Sequence, residues 1–360
     1  HSVTFPLKVS VVKCYNMNVP ACPPSRIHGD IAARGARIDF SVNVATSTPS
    51  WLIDALTSEI ANLTAYPDAD RLAAAEELIA EYHGVPPDYV MLLAGAAEGF
   101  VLLPHLPIIH PTIIHPGFSE PDIIFTDTGR PVDRVILPEP FNVLPSISDD
   151  ADLVVIGNPT NPTGVLWRPD DLLDLDDGRR FVVVDEAFID VVGEEHSVIP
   201  QVPTHPRLIV LRSLTKTWAI AGLRVGYMVA DPDIVLGPLR RWRPHWPIGT
   251  LQIAAAEAVF THGVTTLPEH RSQLLADREA MLRQLTTVGW LPVSDSRAPF
   301  VLVRPGDLSP DQARTRYRKL MARGIALRRC DTFPGLGWNY FRLAVRKKPQ
   351  VDSLITALKE

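Results

Sequence analysis

The chain reads as an α/β protein, with a large unit on a mostly parallel, helix-covered sheet and a smaller α+β unit after it. Three observations predict this. Apolar runs at 132–137, 153–156, 181–184, 208–211 and 225–229 alternate with polar stretches of helical character, the pattern of strands joined by crossover helices. Beyond Pro238 the pattern changes to longer helices, near 251–262 and 268–288, and then to mixed elements. Asn161, Asp185 and Lys216 stand just after three of the apolar runs, where open α/β sheets bind their ligands.

Composition bounds the rest. At 360 residues, 46% hydrophobic and 21% charged, the chain suits a globular protein with room for both units. A net charge of -6 argues against nucleic acid as the main partner. The basic and aromatic cluster Arg240-Arg241-Trp242-Arg243-Pro244-His245-Trp246 fits a helix end at a domain or subunit contact better than a nucleic-acid patch. No apolar run approaches the ~20 residues that a membrane helix requires. Cys14, Cys22 and Cys330 form neither a paired framework nor a metal spacing, which suits a reducing cytoplasm. No metal site is expected: His105, His110 and His115 recur every five residues, a step of about 140° that places them on no common helical face.

Taken in order, residues 1–25 are an apolar arm ending in prolines, with two lysines and no signal-peptide core. Residues 26–50 belong with the smaller unit, 51–250 form the large one, and 251–360 complete the smaller one. Leu72, Ala75, Leu78, Ile79 and Tyr82 share a helical face, and Gly84 with Pro86 stops that helix. Val90-Met91-Leu92-Leu93 is a short buried strand. The small residues Ala94-Gly95-Ala96-Ala97 then open a helix whose first amides can approach a phosphate. After Pro238, a strand at 299–303, a helix at 310–323, strands at 325–329 and 340–345 and a final helix are expected.

The chemistry concentrates in three motifs. Asn158-Pro159-Thr160-Asn161-Pro162-Thr163-Gly164 follows one strand, and Asp185-Glu186-Ala187-Phe188 closes another. Ser213-Leu214-Thr215-Lys216 follows a third and leads on to Arg224. Ser213 and Arg224 can hold a phosphate beside the Lys216 amine, an arrangement suited to Schiff-base chemistry with an aldehyde cofactor. In this order, the motifs resemble those of the fold-type I pyridoxal-phosphate enzymes, the aspartate aminotransferase superfamily.

That resemblance, which spans residues from about 26 to 360, implies roles. Lys216 would carry the cofactor and then move the proton, while Asp185 would pair with the pyridine nitrogen. Asn161 would face the ring's 3-oxygen, and Phe118, in Pro116-Gly117-Phe118-Ser119, would stack on the ring. Ala96, Ala97, Ser213 and Arg224 would grip the phosphate, together with Tyr66 of Tyr66-Pro67-Asp68 reaching from a second copy, in a homodimer with shared sites. Phe188 stands where relatives carry a tyrosine whose hydroxyl assists the asparagine. Arg342 would take the substrate's α-carboxylate, and Arg328, with Arg329 as its rival, a distal phosphate. His28 and Asn43, from His28-Gly29 and Asp39-Phe40-Ser41-Val42-Asn43, would face the substrate, although Val44-Ala45-Thr46-Ser47 replaces the relatives' usual continuation.

The closest branches by these motifs are the threonine-phosphate decarboxylases and the histidinol-phosphate aminotransferases. His28-Gly29, the Asp-Glu-Ala-Phe at 185–188 and Arg329-Cys330-Asp331 lean toward the first. The expected function is thus decarboxylation of L-threonine O-3-phosphate in cobalamin synthesis, with transamination of histidinol phosphate or a similar amine as the alternative.

Overall fold

The computed structural model describes residues 29–306 and 308–360, so the arm at 1–25 and His28 lie outside the described residues. After a two-residue strand, β1 (Ile38–Asp39), come β2 (Val90–Leu93), β3 (Pro111–His115), β4 (Asp133–Ile136), β5 (Leu153–Gly157), β6 (Phe181–Asp185), β7 (Leu208–Ser213) and β8 (Gly226–Val229). These last seven make one sheet in the order β2-β8-β7-β6-β5-β3-β4. Pairing is parallel from β7 through β4, and only β8 runs against its neighbours.

Alternation along each strand serves two cores at once. Leu92, Val154, Val182, Val184 and Val210 point into one apolar layer, while Met91, Val155, Val183, Ile209 and Leu211 point into the other. Successive side chains of a strand face opposite sides, so a sheet covered on both faces is apolar at every position. This is why these strands read as unbroken apolar runs in the sequence.

The C-terminal third adds β9 (Trp290–Pro292), β10 (Phe300–Pro305), β11 (Ile325–Ala326), β12 (Arg328–Arg329) and β13 (Phe341–Ala344). An antiparallel sheet runs β12-β13-β10-β9, while β11 pairs in parallel with β1. The single strand expected at 325–329 is therefore two strands in two sheets, divided at Leu327, which is fully buried in the local core. Pairing of β1 with β11 brings residues 38–43 onto the C-terminal part, and Phe40 enters its core.

The helix Ala69–His83 starts where Asp68 caps it, accepting from the amides of Asp70 and Arg71, and stops at Gly84 in the left-handed region. Arg71 ties its first turn to both Glu59 (2.8 Å) and Glu257 (2.7 Å). The helix Thr250–Thr261 packs on this helix and sends Ile253, Ala256 and Val259 into the core of the large sheet. No helix among the described residues is long and apolar enough to cross a membrane.

Candidate active site

The sheet topology decides where the polar motifs meet. β2, β3, β5, β6 and β7 all end at one edge, and β8, running the other way, begins there. Ala96, Phe118, Asn161, Asp185 and Lys216 follow strand ends at that edge, and Arg224 lies two residues before β8. Five segments distant in sequence thus converge on one edge of the sheet.

Asp185 is the last residue of β6, and its Oδ1 accepts from the amide of Ala187 at 3.1 Å. The Asn158 amide donates to the Asp185 carbonyl at 2.8 Å, locking the Asn158–Gly164 turn to the end of β6. Burial pushes the Asp185 carboxyl up to about 6, opposed by the Ala187 amide and the charge of Lys216. Lys216 sits on the single turn Leu214–Thr217, held through the Lys216 carbonyl by the amide of Ala45 at 3.0 Å. Burial, and then the positive charges of Arg224 and Arg342, bring its amine down to about 8, while Asp185 acts the other way. Each group feels the other's charge, and the amine is drawn toward a reactive range.

At the neighbouring corner, Ser213 Oγ and Thr215 Oγ1 are 2.7 Å apart. Gly95, at φ 81°, brings the start of the helix Ala96–Leu102 under the Arg224 guanidinium: a Cβ at Gly95 would meet Arg224 Nη2 at 2.7 Å. Gly226 is just as constrained, since its Cβ would come within 2.5 Å of the Arg212 carbonyl and 2.7 Å of the Ala96 amide. Hydroxyls, a guanidinium and the amides of a helix start are the donor set for a phosphate monoester.

Arg342, on β13, is buried and has no carboxylate partner among the described residues. Its Nη1 donates to Asn161 Oδ1 at 2.7 Å and its Nη2 to the Ser41 carbonyl at 2.6 Å. Asn43, with its amide oxygen turned toward the guanidinium, accepts from Nε at 3.2 Å and Nη1 at 3.0 Å. Burial and the nearby charge of Arg328 lower Arg342 to about 9. Asn161, accepting through its oxygen, keeps its amide hydrogens for another partner. The Arg342 guanidinium lies over the Phe300 ring at 5.4 Å, and Phe188 packs edge-on against that same ring at 5.0 Å.

Arg328 stands directly across from Arg342 in the β12–β13 pair, so the two share one face of the sheet. It is buried, bonded to Thr332 Oγ1 and the Arg329 carbonyl at 2.8 Å each, and lies over the Phe333 ring. Arg329 points elsewhere, paired with Asp331 at 2.8 Å and set over Trp338. Between the two rivals, only Arg328 accompanies Arg342. Phe118 is half-buried beside Phe100. Tyr66 stands apart from this cleft: it is 73% exposed and stacks on Trp246 at 3.9 Å.

Asn43, expected to face the substrate, instead clamps Arg342. Sequence reasoning missed three members: the Ser41 carbonyl shares that clamp, and the Thr215 hydroxyl and Phe300 ring complete the two corners. Thr215, one residue before the lysine, was legible as a hydroxyl; the contact between Phe300 and Arg342 was not. In the cluster at 240–246, Arg240 and Arg243 donate to the Val90 and Leu92 carbonyls, and Trp242 stacks on His105.

The residues fit pyridoxal phosphate: phosphate donors at one end, a carboxylate at the end of β6, a depressed lysine between them, and Asn161 amide hydrogens to spare. The family model for "Aminotransferase class I and II" matches residues 38–358. A histidinol-phosphate aminotransferase of Mycobacterium tuberculosis is 43% identical over 341 residues, covering 93% of this chain and 90% of that protein. The threonine-phosphate decarboxylase of Salmonella typhimurium is 30% identical over 335 residues, covering 89% of this chain and 90% of that protein. In fold, the crystal structure of the histidinol-phosphate aminotransferase from Clostridium acetobutylicum superposes with a TM-score of 0.80 at 24% identity, covering 89% of this chain and 98% of that one. On these grounds the chain belongs to the class I and II aminotransferases and is a pyridoxal-phosphate-dependent enzyme, an aminotransferase or a decarboxylase.

Proposed function

We propose that the enzyme is an aminotransferase whose amino donor is histidinol phosphate or a closely similar phosphorylated amine. The observation that carries this reading is the 43% relative, and the site accommodates it through the pair Arg328 and Arg342, two buried guanidiniums side by side with no carboxylate bonded to either among the described residues. Burying such charges is costly unless an anion arrives. A phosphate monoester fits the pair, and so do the carboxylates of the amino-acid partner that a transaminase binds in its other half-reaction. Motifs alone favour the decarboxylase; the 43% relative, against 30% for the decarboxylase, supports the aminotransferase.

Bound pyridoxal phosphate supplies an aldehyde carbon for an amine and a ring that takes up the electron pair left at the substrate's α-carbon. The protein's part is to orient and to move protons. Lys216, its amine brought down to about 8, would hold the cofactor and then carry a proton at its Nζ. Asp185 would hold a positive charge at the ring nitrogen, and Asn161 would donate through its amide to the 3-oxygen. Phe188, lacking a hydroxyl, leaves that oxygen one donor short of a tyrosine-bearing site. Ser213, Arg224 and the Ala96 and Ala97 amides would grip the phosphate, and Phe118 would cover the ring. Arg342 takes an anionic group and Arg328 the distal phosphate.

A homodimer is part of this reading, with Tyr66 reaching the partner's phosphate; its exposed position supports this. So is a cytoplasmic setting, for which the free, buried Cys330 speaks. We also place the passage from the large to the smaller unit inside the helix Leu267–Thr287 rather than at 250, because the helix before it packs into the large core.

Decarboxylation of threonine phosphate is the second reading, favoured by the other relative and by a cation pair that suits a substrate bearing both carboxylate and phosphate. Purified enzyme given each substrate separates them. Glutamate formed from 2-oxoglutarate and histidinol phosphate is the expected result. Carbon dioxide released from threonine phosphate without 2-oxoglutarate would overturn it in favour of the second reading.

A further inference from the structure

Apart from the Lys216 cleft, a second cleft of about 670 Å³ opens where the helix Leu267–Thr287 crosses the loops that follow β5 and β6. Its charge is one-sided. Arg271, Arg278 and Arg297 line it against one lining acid, Asp295, which is already paired with Arg297 at 2.9 Å, and the His196 ring, 3.7 Å from Glu195, completes the polar wall.

Arg278 is the informative member. It is only 7% exposed, and its Nη1 donates to two backbone carbonyls, Arg297 at 2.8 Å and Ala298 at 3.3 Å. Arg271 donates through Nε to the Asp190 carbonyl at 2.7 Å. Among the described residues neither arginine forms an ion pair. Carbonyl dipoles satisfy hydrogen bonds but do not neutralise charge; burial, and then Arg297 beside it, lowers the pKa of Arg278, opposed by the more distant charges of Asp295 and Glu279. Val191 and Leu274 add apolar wall to the same cleft.

We infer that this cleft is a second ligand site, separate from the cofactor site, for a small polyanion bearing phosphate or clustered carboxylates on an apolar body. Its position couples it to catalysis. The Ala298 carbonyl held by Arg278 belongs to a segment whose side chains, Ala298 and Phe300, pack with Ala187 and Phe188 just beyond Asp185. Phe300 in turn lies under Arg342. The Arg297 amide donates to the Gly164 carbonyl at 2.9 Å, closing the turn that carries Asn161. An anion that competes for the Arg278 guanidinium alters its hold on 297–298, and through linkage the affinity at Arg342.

The test is calorimetric titration of the cofactor-loaded full chain with inorganic pyrophosphate. Wild type is expected to bind it in this cleft as well as at the Arg328–Arg342 pair, the double variant Arg271→Gln/Arg297→Gln to bind at the cleft at least tenfold more weakly, and Arg342→Lys, which touches only the other site, to keep the cleft site at wild-type affinity. Should the double variant misfold, His196→Gln/Arg297→Gln, which alters more exposed groups, is expected to weaken binding at least threefold. No binding by wild type, unchanged binding in the cleft variants, or loss confined to Arg342→Lys would each overturn the inference.

Discussion

Asp185 illustrates the tension at the scale of one residue. Burial raises its carboxyl to about 6, from 3.8 when unperturbed. The folded chain therefore binds more protons than the unfolded one between those values, and ionised Asp185 opposes folding. This penalty is absent below the unfolded pKa, grows as pH rises through about 6, and is complete above it. Asp185→Asn is expected to stabilise the cofactor-free protein at pH 7.5 by ~1–3 kcal/mol, with the gain vanishing toward pH 4. Denaturant melts at the two pH values check this. A variant that is less stable at pH 7.5 would show that the carboxylate is satisfied as it stands.

At the scale of elements, the close approach of β8 to the helix start at Ala96 is what forms the proposed phosphate corner. Gly226→Ala places a methyl against the Arg212 carbonyl and the Ala96 amide, both backbone atoms of packed elements. A loss of ~2–4 kcal/mol in unfolding free energy is expected, with weakened cofactor retention; equilibrium unfolding and dialysis against buffer measure both. The same scale explains what the sequence disclosed. Strands buried on both faces announce themselves as apolar runs, so β5, β6 and β7 were legible, and with them the positions of Asn161, Asp185 and Lys216. β3 was not, because its five buried residues begin with Pro111 and end with His115, and the spaced histidines there were weighed only as metal ligands. The structure gives His115 a different task, a buried pair with Asp122 at 2.9 Å. Arg328 and Arg329 could not be ranked from adjacency in sequence; only the register opposite Arg342, set by long-range pairing, separates them.

At the scale of the whole molecule, the exposed aromatic stack of Tyr66 on Trp246, with Ile60 and Leu63 exposed nearby in sequence, marks the face on which a second copy is expected. If the sites are shared across that face, subunits with different defects complement each other. Lys216→Ala and Tyr66→Ala homodimers, each impaired, are expected to regain up to about a quarter of wild-type activity when unfolded together and refolded. This follows because random pairing puts half of the chains in mixed dimers, and one of the two sites in each mixed dimer is intact. Sedimentation as a monomer, or no recovery on mixing, would remove the shared site from the account.

The central claim is that one amine, on the turn after β7, holds the cofactor. Loading the protein with pyridoxal phosphate, reducing it with borohydride and mapping the added mass by peptide mass spectrometry tests this directly. One cofactor per chain is expected, on the peptide containing Lys216 and absent from Lys216→Ala. A label on another lysine, or stable binding with no label at all, would contradict it.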